Sequence, residues 1–173
     1  SRGLGDVYKR QLSNPSETHH LNNLNTKDLI NSTMNSLAEV FKSGVKRIEH
    51  VTYDLEDEIK INQNFFYQAL YMLLNLRSKS MRASKKNYWA RFEFFSERSN
   101  LIITCFDNGE ELTAQERKAL LNPFRSIEQR DRGSLLLLGT LSSMIHKLDA
   151  KISVVDHKEK IYIQIRIPTK GKV

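Results

Sequence analysis

Hydrophobic residues recur with two different spacings in successive segments of the chain. One is the three- to four-residue spacing of helices, and the other is the two-residue spacing of strands. The first pattern predicts helices over 25–44, 63–79 and 135–148. The second pattern, enriched in β-branched and aromatic residues, predicts strands. These predicted strands span 46–53, 58–62, 89–97, 100–106, 151–155 and 160–167.

Short polar motifs mark where several of these elements begin or turn. Asn25 is suited to cap the first helix. Arg98 and Ser99 separate two strands by the spacing of a hairpin. Thr113, followed by Glu116 three residues later, forms a capping box and predicts a short helix after the second of those strands.

Helices interleaved with strands that are mostly linked as hairpins are typical of the α+β class. We therefore predict a two-layer sandwich, in which a mixed sheet of about five strands is covered on one face by three helices. The segments 46–53 and 58–62 are either two strands or one strand and its short partner. The other face of the sheet is left for solvent or for contacts.

The chain divides into three parts by composition. Residues 1–11 include a stretch that resembles the translation of a sequencing adapter, and we exclude them from the fold. Residues 12–24 are polar and rich in asparagine, which is typical of a linker or of the frayed end of a preceding helix. Residues 25–173 have the length and apolar content of one globular domain.

Charge and cysteine content narrow the class of protein only slightly. The net charge of +7 is spread along the chain, so binding to a polyanion is compatible with the sequence but not required by it. No apolar run approaches the roughly 20 residues that a membrane-spanning helix needs. The single cysteine, Cys105, lies in an apolar strand, which predicts a buried thiol in a reducing, cytoplasmic compartment.

The strand that ends at Asp107 is the strongest candidate for a functional site. An apolar, β-branched run from Leu101 to Phe106 leads directly into Asp107, Asn108 and Gly109. Such a strand would deliver a carboxylate to the rim of the sheet, where it can accept hydrogen bonds from a ligand amine. The same tripeptide is also an ordinary turn signal, in which glycine supplies backbone freedom.

A basic cluster begins at the end of the second predicted helix and continues beyond it, and its simplest interpretation is a solvated helix end and loop. Tyr88 and Trp89 are the only aromatic residues nearby that could stack on bases, so a nucleic-acid patch is the weaker alternative. Catalytic triads, phosphate-binding loops and zinc patterns are absent from the sequence, and we assign no catalytic or metal-binding residue. The cluster consists of Arg77, Lys79, Arg82, Lys85 and Lys86.

From Thr26 to the end, the order of elements resembles the catalytic, ATP-binding domain of sensor histidine kinases, a family shared with the gyrase, Hsp90 and MutL ATPases. Five stretches carry the resemblance to its Asn-containing helix, its Asp-x-Gly-x-Gly box, its Phe box, its second glycine-rich box and its last strand. In that order they are 68–79, 107–109, 123–124, 133–138 and 165–168.

The resemblance implies a Bergerat-like fold and ATP as the ligand, with Asp107 reading adenine. Gly109 matches the first glycine of the same box. Lys79, Gly133 and Ser134 are the further residues that we expect to contribute to nucleotide binding.

Several departures from the family pattern argue against ATP use. Leu76 takes the position of the asparagine that holds magnesium in the family, and leucine cannot ligate a hard cation. Glu111 replaces the second glycine beside the expected nucleotide. Leu135 and Leu137 replace glycines that let backbone N–H groups approach phosphate oxygens. These losses argue against a magnesium site and favour a pseudokinase over an active protein-histidine kinase.

Three functions remain open at this point. The first is the C-terminal, histidine-kinase-type ATP-binding domain of a two-component signalling protein, with eroded nucleotide motifs. The second is a non-catalytic docking module similar to histidine phosphotransferases, which pass phosphate between receiver domains in a phosphorelay. The third and weakest is a polyanion-binding domain. The first two imply a response-regulator receiver domain, or an upstream dimerisation domain that carries the histidine, as the partner.

Overall fold

The structure is a computed structural model and describes residues 21–42, 47–82, 88–121, 132–157 and 160–169. Predictions that concern residues 1–20, Lys85, Lys86, the Phe-box pair 123–124 and the side chain of Arg82 lie outside the described part. Within it, the strands are β1 (Asn22–Asn25), β2 (Arg47–Thr52), β3 (Glu58–Ile61), β4 (Trp89–Glu97), β5 (Asn100–Asp107), β6 (Lys151–His157) and β7 (Lys160–Pro168). The helices are α1 (Thr26–Val40), α2 (Gln63–Arg82), α3 (Ala114–Leu121) and α4 (Arg132–Lys147).

Five strands form one mixed sheet in the order β2-β4-β5-β7-β6. The pairing of β2 with β4 is parallel, and the other three pairings are antiparallel. β5 lies at the centre, with Ala90 of β4 opposite Asp107 and Ile167 of β7 opposite Leu101. The predicted α+β class and the mixed sheet of five strands are confirmed.

β1 and β3 form a separate two-stranded antiparallel sheet, which the sequence did not predict. The residues of β1 belong mostly to the segment that was interpreted as a linker. β3 does not pair with β2, so the segments 46–53 and 58–62 contain two separate strands, which is the first of the two predicted alternatives. Ile59 and Ile61 of β3 point into the core and are fully buried, which explains their alternation. Alternation identifies a strand but does not identify its partner.

Alternating residues of β4 show which face of the sheet carries the helices. Ala90, Phe92 and Phe94 are buried in the core, whereas Trp89 and Arg91, which flank Ala90, are exposed. α1, α2 and α4 form the helical layer that was predicted, and the short helix α3 packs beside α4 at the β6 edge. This arrangement places the carboxyl end of β5 beside the carboxyl-terminal half of α2.

The local signals in the sequence act as expected. The Asp28 amide donates to the Asn25 side chain at 3.0 Å, so Asn25 caps α1. In the capping box of α3, the Glu116 amide donates to the Thr113 hydroxyl at 3.2 Å and the Thr113 amide donates to the Glu116 carboxylate at 2.8 Å. Arg98 has a φ of 48° and the next residue a φ of 59°, the left-handed conformation of a tight hairpin.

Among the described residues, no helix is both long enough and apolar enough to span a bilayer. His50 is half-buried where α1 packs on the sheet. It lies on β2 and its ring Nε2 is 3.0 Å from the amide oxygen of Asn31 on α1, and burial lowers its pKa. This histidine therefore links a helix to the sheet.

Truncating a side chain on the helical face of the sheet should destabilise the fold far more than truncating one on the open face. Phe92 is fully buried, and Phe92→Ala should lower the free energy of unfolding by about 3–5 kcal/mol because it leaves a cavity in the core. Trp89→Ala is the matched aromatic control, since Trp89 is 42% exposed, and its effect should stay below about 1 kcal/mol. Urea unfolding of both variants measures the difference, and equal losses would contradict this layer assignment.

Candidate functional site

The candidate site lies where β5 leaves the sheet. The described pairing of β5 with β7 runs as far as Cys105 opposite Ile163, two residues before the strand ends at Asp107. On its other side, β5 remains paired with β4 as far as Asp107. The backbone at Asp107 is therefore held by its pairing with β4, at a point where the pairing with β7 has ended.

Arg77 of α2 forms a bidentate ion pair with the carboxylate of Asp107. Nε donates to Oδ2 at 2.7 Å and Nη2 donates to Oδ1 at 2.6 Å. Two further donors complete the set, with the Gly109 amide 2.7 Å from Oδ1 and the Tyr88 hydroxyl 3.3 Å from Oδ2. Each carboxylate oxygen thus accepts two hydrogen bonds, which matches the roughly four acceptor positions of an ionised carboxylate.

The ion pair is buried, because the side chains of Arg77 and Asp107 are only 8% and 5% exposed. Burial by itself would lower the pKa of Arg77, but the hydrogen bonds and charge of Asp107 outweigh it and raise the pKa above its ordinary value. Arg77 therefore stays protonated in the folded protein. Its assignment to a solvated basic cluster is wrong, although Lys79 of the same cluster is exposed as predicted.

Gly109 is required because the ion pair comes so close to its backbone. A Cβ atom built on Gly109 would lie 2.6 Å from Arg77 Nη2 and 2.7 Å from Asp107 Oδ1, which is closer than real contacts allow. From the sequence, Gly109 was expected to supply conformational freedom at a turn. Gly109 does not have a positive φ, so the explanation is the lack of a side chain rather than an unusual backbone.

Tyr88 and Cys105 border the ion pair and remain protonated. Burial, followed by the nearby Cys105 and Asp107, raises the pKa of Tyr88 far above its ordinary value, so its hydroxyl acts as a donor. Burial and then the charge of Asp107 raise the pKa of the Cys105 thiol. The predicted burial of the Cys105 thiol is confirmed, and a thiol whose pKa is raised in this way is a poor nucleophile.

A cavity of about 580 Å³ adjoins the site at the end of β5. Arg77 and Asp107 lie in its wall, together with side chains of β4, β7 and the loop 108–112. Two of the lining rings, Phe106 and Tyr162, contact each other with their centroids 5.0 Å apart. The ion pair is therefore at the boundary of an accessible space, although it is itself shielded from water.

The other residues predicted to bind nucleotide are not gathered at this carboxylate. Lys79 is exposed on α2 and does not line the cavity. Gly133 and Ser134 fall in the first turn of α4, where the side chains lie outside the described part of the chain. The roles of Asp107, Gly109 and these three residues in nucleotide binding stay predictions.

Among its described residues, the site has neither a free acceptor on Asp107 for an adenine amino group nor an oxygen ligand for magnesium at position 76. The carboxylate of Asp107 already accepts four hydrogen bonds, so an adenine amino group would have to displace one of its donors. Leu76, at the position expected to hold magnesium, packs against the hydrophobic core and supplies no oxygen ligand. Within the described ranges, no group of three or more His, Cys, Asp or Glu side chains could hold a metal ion.

The sequence missed Arg77 as a site residue, although a signal was present. Arg77 continues the stripe of α2 on which Phe66, Leu70 and Leu73 are fully buried, because the positions recur at helical spacing. A charged residue on a buried stripe needs a buried partner of opposite charge. Asp107, which follows an apolar strand, was the available candidate.

A five-stranded mixed sheet with one helical layer, and an aspartate at the end of its central strand beside a helix, match the fold that the resemblance to histidine kinase catalytic domains implies. The comparison with solved structures agrees. The catalytic domain of the histidine kinase ThkA in a nucleotide-free form superposes with a TM-score of 0.66 at 15% identity, over 88% of this chain and 99% of that one. The mycobacterial sensor histidine kinase MprB gives a TM-score of 0.61 at 14% identity, again over 88% and 99%.

Two longer chains share the same fold. The Acinetobacter baumannii histidine kinase AdeS has a TM-score of 0.59 at 14% identity, over 96% of this chain and 74% of that one. ThkA in complex with the response regulator protein TrrA has a TM-score of 0.66 at 13% identity, and this chain spans 47% of that chain. No family model matches the sequence, and no curated protein matches it. The chain therefore has the fold of a histidine kinase catalytic domain, at identities that show the fold alone.

Adding a methyl group at Gly109 should have the opposite effect from adding one at Gly139. Gly109→Ala forces the buried ion pair apart and should destabilise the protein by about 1–3 kcal/mol. Gly139→Ala lies within α4 with open space around its Cβ, and should stabilise by about 0.5–1 kcal/mol through helix propensity. Thermal unfolding of both variants tests the close approach, and a neutral Gly109→Ala would contradict it.

Proposed function

We propose that this chain is the C-terminal catalytic-type domain of a two-component signalling protein, and that it acts as a pseudokinase without binding ATP productively. Its domain would comprise residues 25–173 together with residues 22–24, which complete the short strand β1. The fold shared with ThkA, MprB and AdeS supports the class. The loss of ATP use is inferred from the site itself.

One observation carries the proposal: the carboxylate that the family would use to read adenine is saturated by donors from its own chain. Arg77 supplies two charge-assisted hydrogen bonds, at 2.7 and 2.6 Å. An amino group of adenine would have to displace one of four donors, and two of these are charge-assisted bonds from Arg77, a kind that is roughly twice as strong as neutral bonds. A nucleotide that displaced Arg77 would also leave its guanidinium without its buried partner.

The phosphate end of the expected site gives independent support. Phosphoryl transfer depends on metal ions that bridge the phosphates and on precise alignment of the transferred group. Leu76 is apolar and contacts the core where the family has its magnesium ligand. Removing such charge stabilisation alone is worth on the order of 3 kcal/mol in mutational series. A bound nucleotide would therefore not be positioned for transfer.

The remaining role is docking, as in non-catalytic histidine phosphotransferases. The complex of ThkA with the response regulator TrrA shows that a protein with this fold assembles with such a partner. For this chain we propose a receiver domain, or an upstream histidine-bearing helical domain, as the partner. Docking of this kind requires a stable surface but does not require ATP. The polyanion-binding alternative is weaker, because Arg77 is withdrawn from the basic cluster into the ion pair.

Titration with a fluorescent ATP analogue tests the proposal. The wild-type protein should show no saturable binding at millimolar nucleotide, with or without magnesium, because Asp107 is occupied. Asp107→Ala is the matched control, since a genuine site would lose its signal in this variant. Saturable binding by the wild type that Asp107→Ala abolishes would overturn the pseudokinase proposal.

A further inference from the structure

Arg77 makes more contacts than a simple ion pair needs. Besides its two bonds to Asp107, Nη2 donates to the backbone carbonyl of Glu110 at 3.2 Å. The Gly109 amide donates to the same carboxylate oxygen that Nη2 contacts. The segment 107–110 therefore wraps around the guanidinium, and a side chain of α2 holds together the strand end and the start of the loop that leads to α3.

The Asp107 carboxylate and the groups that orient it can be described as a receptor, and the guanidinium of Arg77 as the ligand bound to it. Without the guanidinium, the receptor would consist of a buried carboxylate oriented by the Gly109 amide and the Tyr88 hydroxyl, in the wall of the 580 Å³ cavity. Such a carboxylate matches a planar group with two parallel N–H donors, as found in guanidinium and amidinium compounds. Arg77 is tethered beside the receptor, so its effective concentration is high.

We propose that Arg77 is a built-in ligand, which keeps this site permanently occupied and holds the segment 107–110 in one conformation without any nucleotide. The inference rests on the proposed function, because a docking domain that does not use ATP has no diffusible ligand to order this loop. A site ordered by a diffusible ligand gains stability as ligand is added. A site ordered by Arg77 is insensitive to added nucleotide.

The built-in ligand differs from an ordinary structural ion pair in its shape requirement. A point charge could neutralise Asp107, but only a planar fork reaches both carboxylate oxygens and the Glu110 carbonyl together. Arg77→Lys keeps the charge and loses the fork. An external guanidinium compound restores the fork without restoring the tether.

Hydrogen exchange of the backbone amides in 107–112, measured by mass spectrometry, tests the inference. Arg77→Ala should make these amides exchange about tenfold faster or more. Without the hydrogen bonds from Arg77 to Asp107 and Glu110, local opening of this segment costs less free energy. About 10 mM methylguanidinium, far below the molar concentrations that denature proteins, should restore protection in Arg77→Ala. It should have no effect on the wild type, or on the double variant Arg77→Ala/Asp107→Asn, which lacks the anionic receptor.

Two further variants keep the experiment decisive. Arg166→Ala removes an exposed pair with Glu97 on the open face of the sheet, 3.3 Å long, and should leave exchange in 107–112 unchanged. Arg77→Lys is expected to fold even if Arg77→Ala does not, and should show exchange between those of the wild type and the alanine variant. If Arg77→Ala requires methylguanidinium in order to refold, that dependence also supports the proposal.

Three results would overturn the inference: unchanged exchange in Arg77→Ala, no response of that variant to methylguanidinium, or full protection by lysine. The proposed function fails differently, through nucleotide-dependent protection of the same amides in the wild type. If ATP does not change exchange in the wild type and methylguanidinium does not change exchange in Arg77→Ala, the proposed function stands and only the built-in ligand is refuted.

Discussion

The buried ion pair between Arg77 and Asp107 constrains every neighbouring feature of the site. Two charges in a nearly water-free position are tolerated only when they are paired and hydrogen-bonded, because the desolvation of each is expensive. Here both carboxylate oxygens are fully used and the guanidinium reaches a backbone carbonyl as well. Removing either partner alone would strand the other charge, a change that typically destabilises by about 3–5 kcal/mol.

The same interaction explains the residues around it. Position 109 must be glycine because the ion pair fills the space of a side chain. Tyr88 must remain a protonated donor, and the raised pKa that follows from its burial secures this. The end of α2 and the end of β5 must stay in register, since a small shift would break a bidentate geometry. The fold shared with histidine kinase catalytic domains thus holds, at the end of its central strand, a carboxylate whose acceptor positions are filled from its own chain.

The parts of the structure that follow from local pattern were predictable, and the parts that follow from partner choice were not. β5 and the carboxylate at its end follow from an apolar run that stops at Asp107. The caps at Asn25 and Thr113 follow from local side-chain chemistry. The pairing of β1 with β3 depends on contacts between segments more than 30 residues apart, which alternation does not encode. Arg77 was misplaced although its position on the buried stripe of α2 indicated burial, because that pattern does not identify the partner that a buried charge needs.

The central claim is that Arg77 rather than a nucleotide occupies Asp107 in solution. The Nε–H resonance of Arg77 in a ¹⁵N-correlated NMR spectrum reports this directly, since a buried and hydrogen-bonded guanidinium proton exchanges slowly with water. The account predicts a sharp, protected Nε–H signal that Asp107→Asn alters and that millimolar magnesium and ATP leave unchanged. A signal that is broadened by exchange in the free protein, or that shifts as ATP is added, would contradict it.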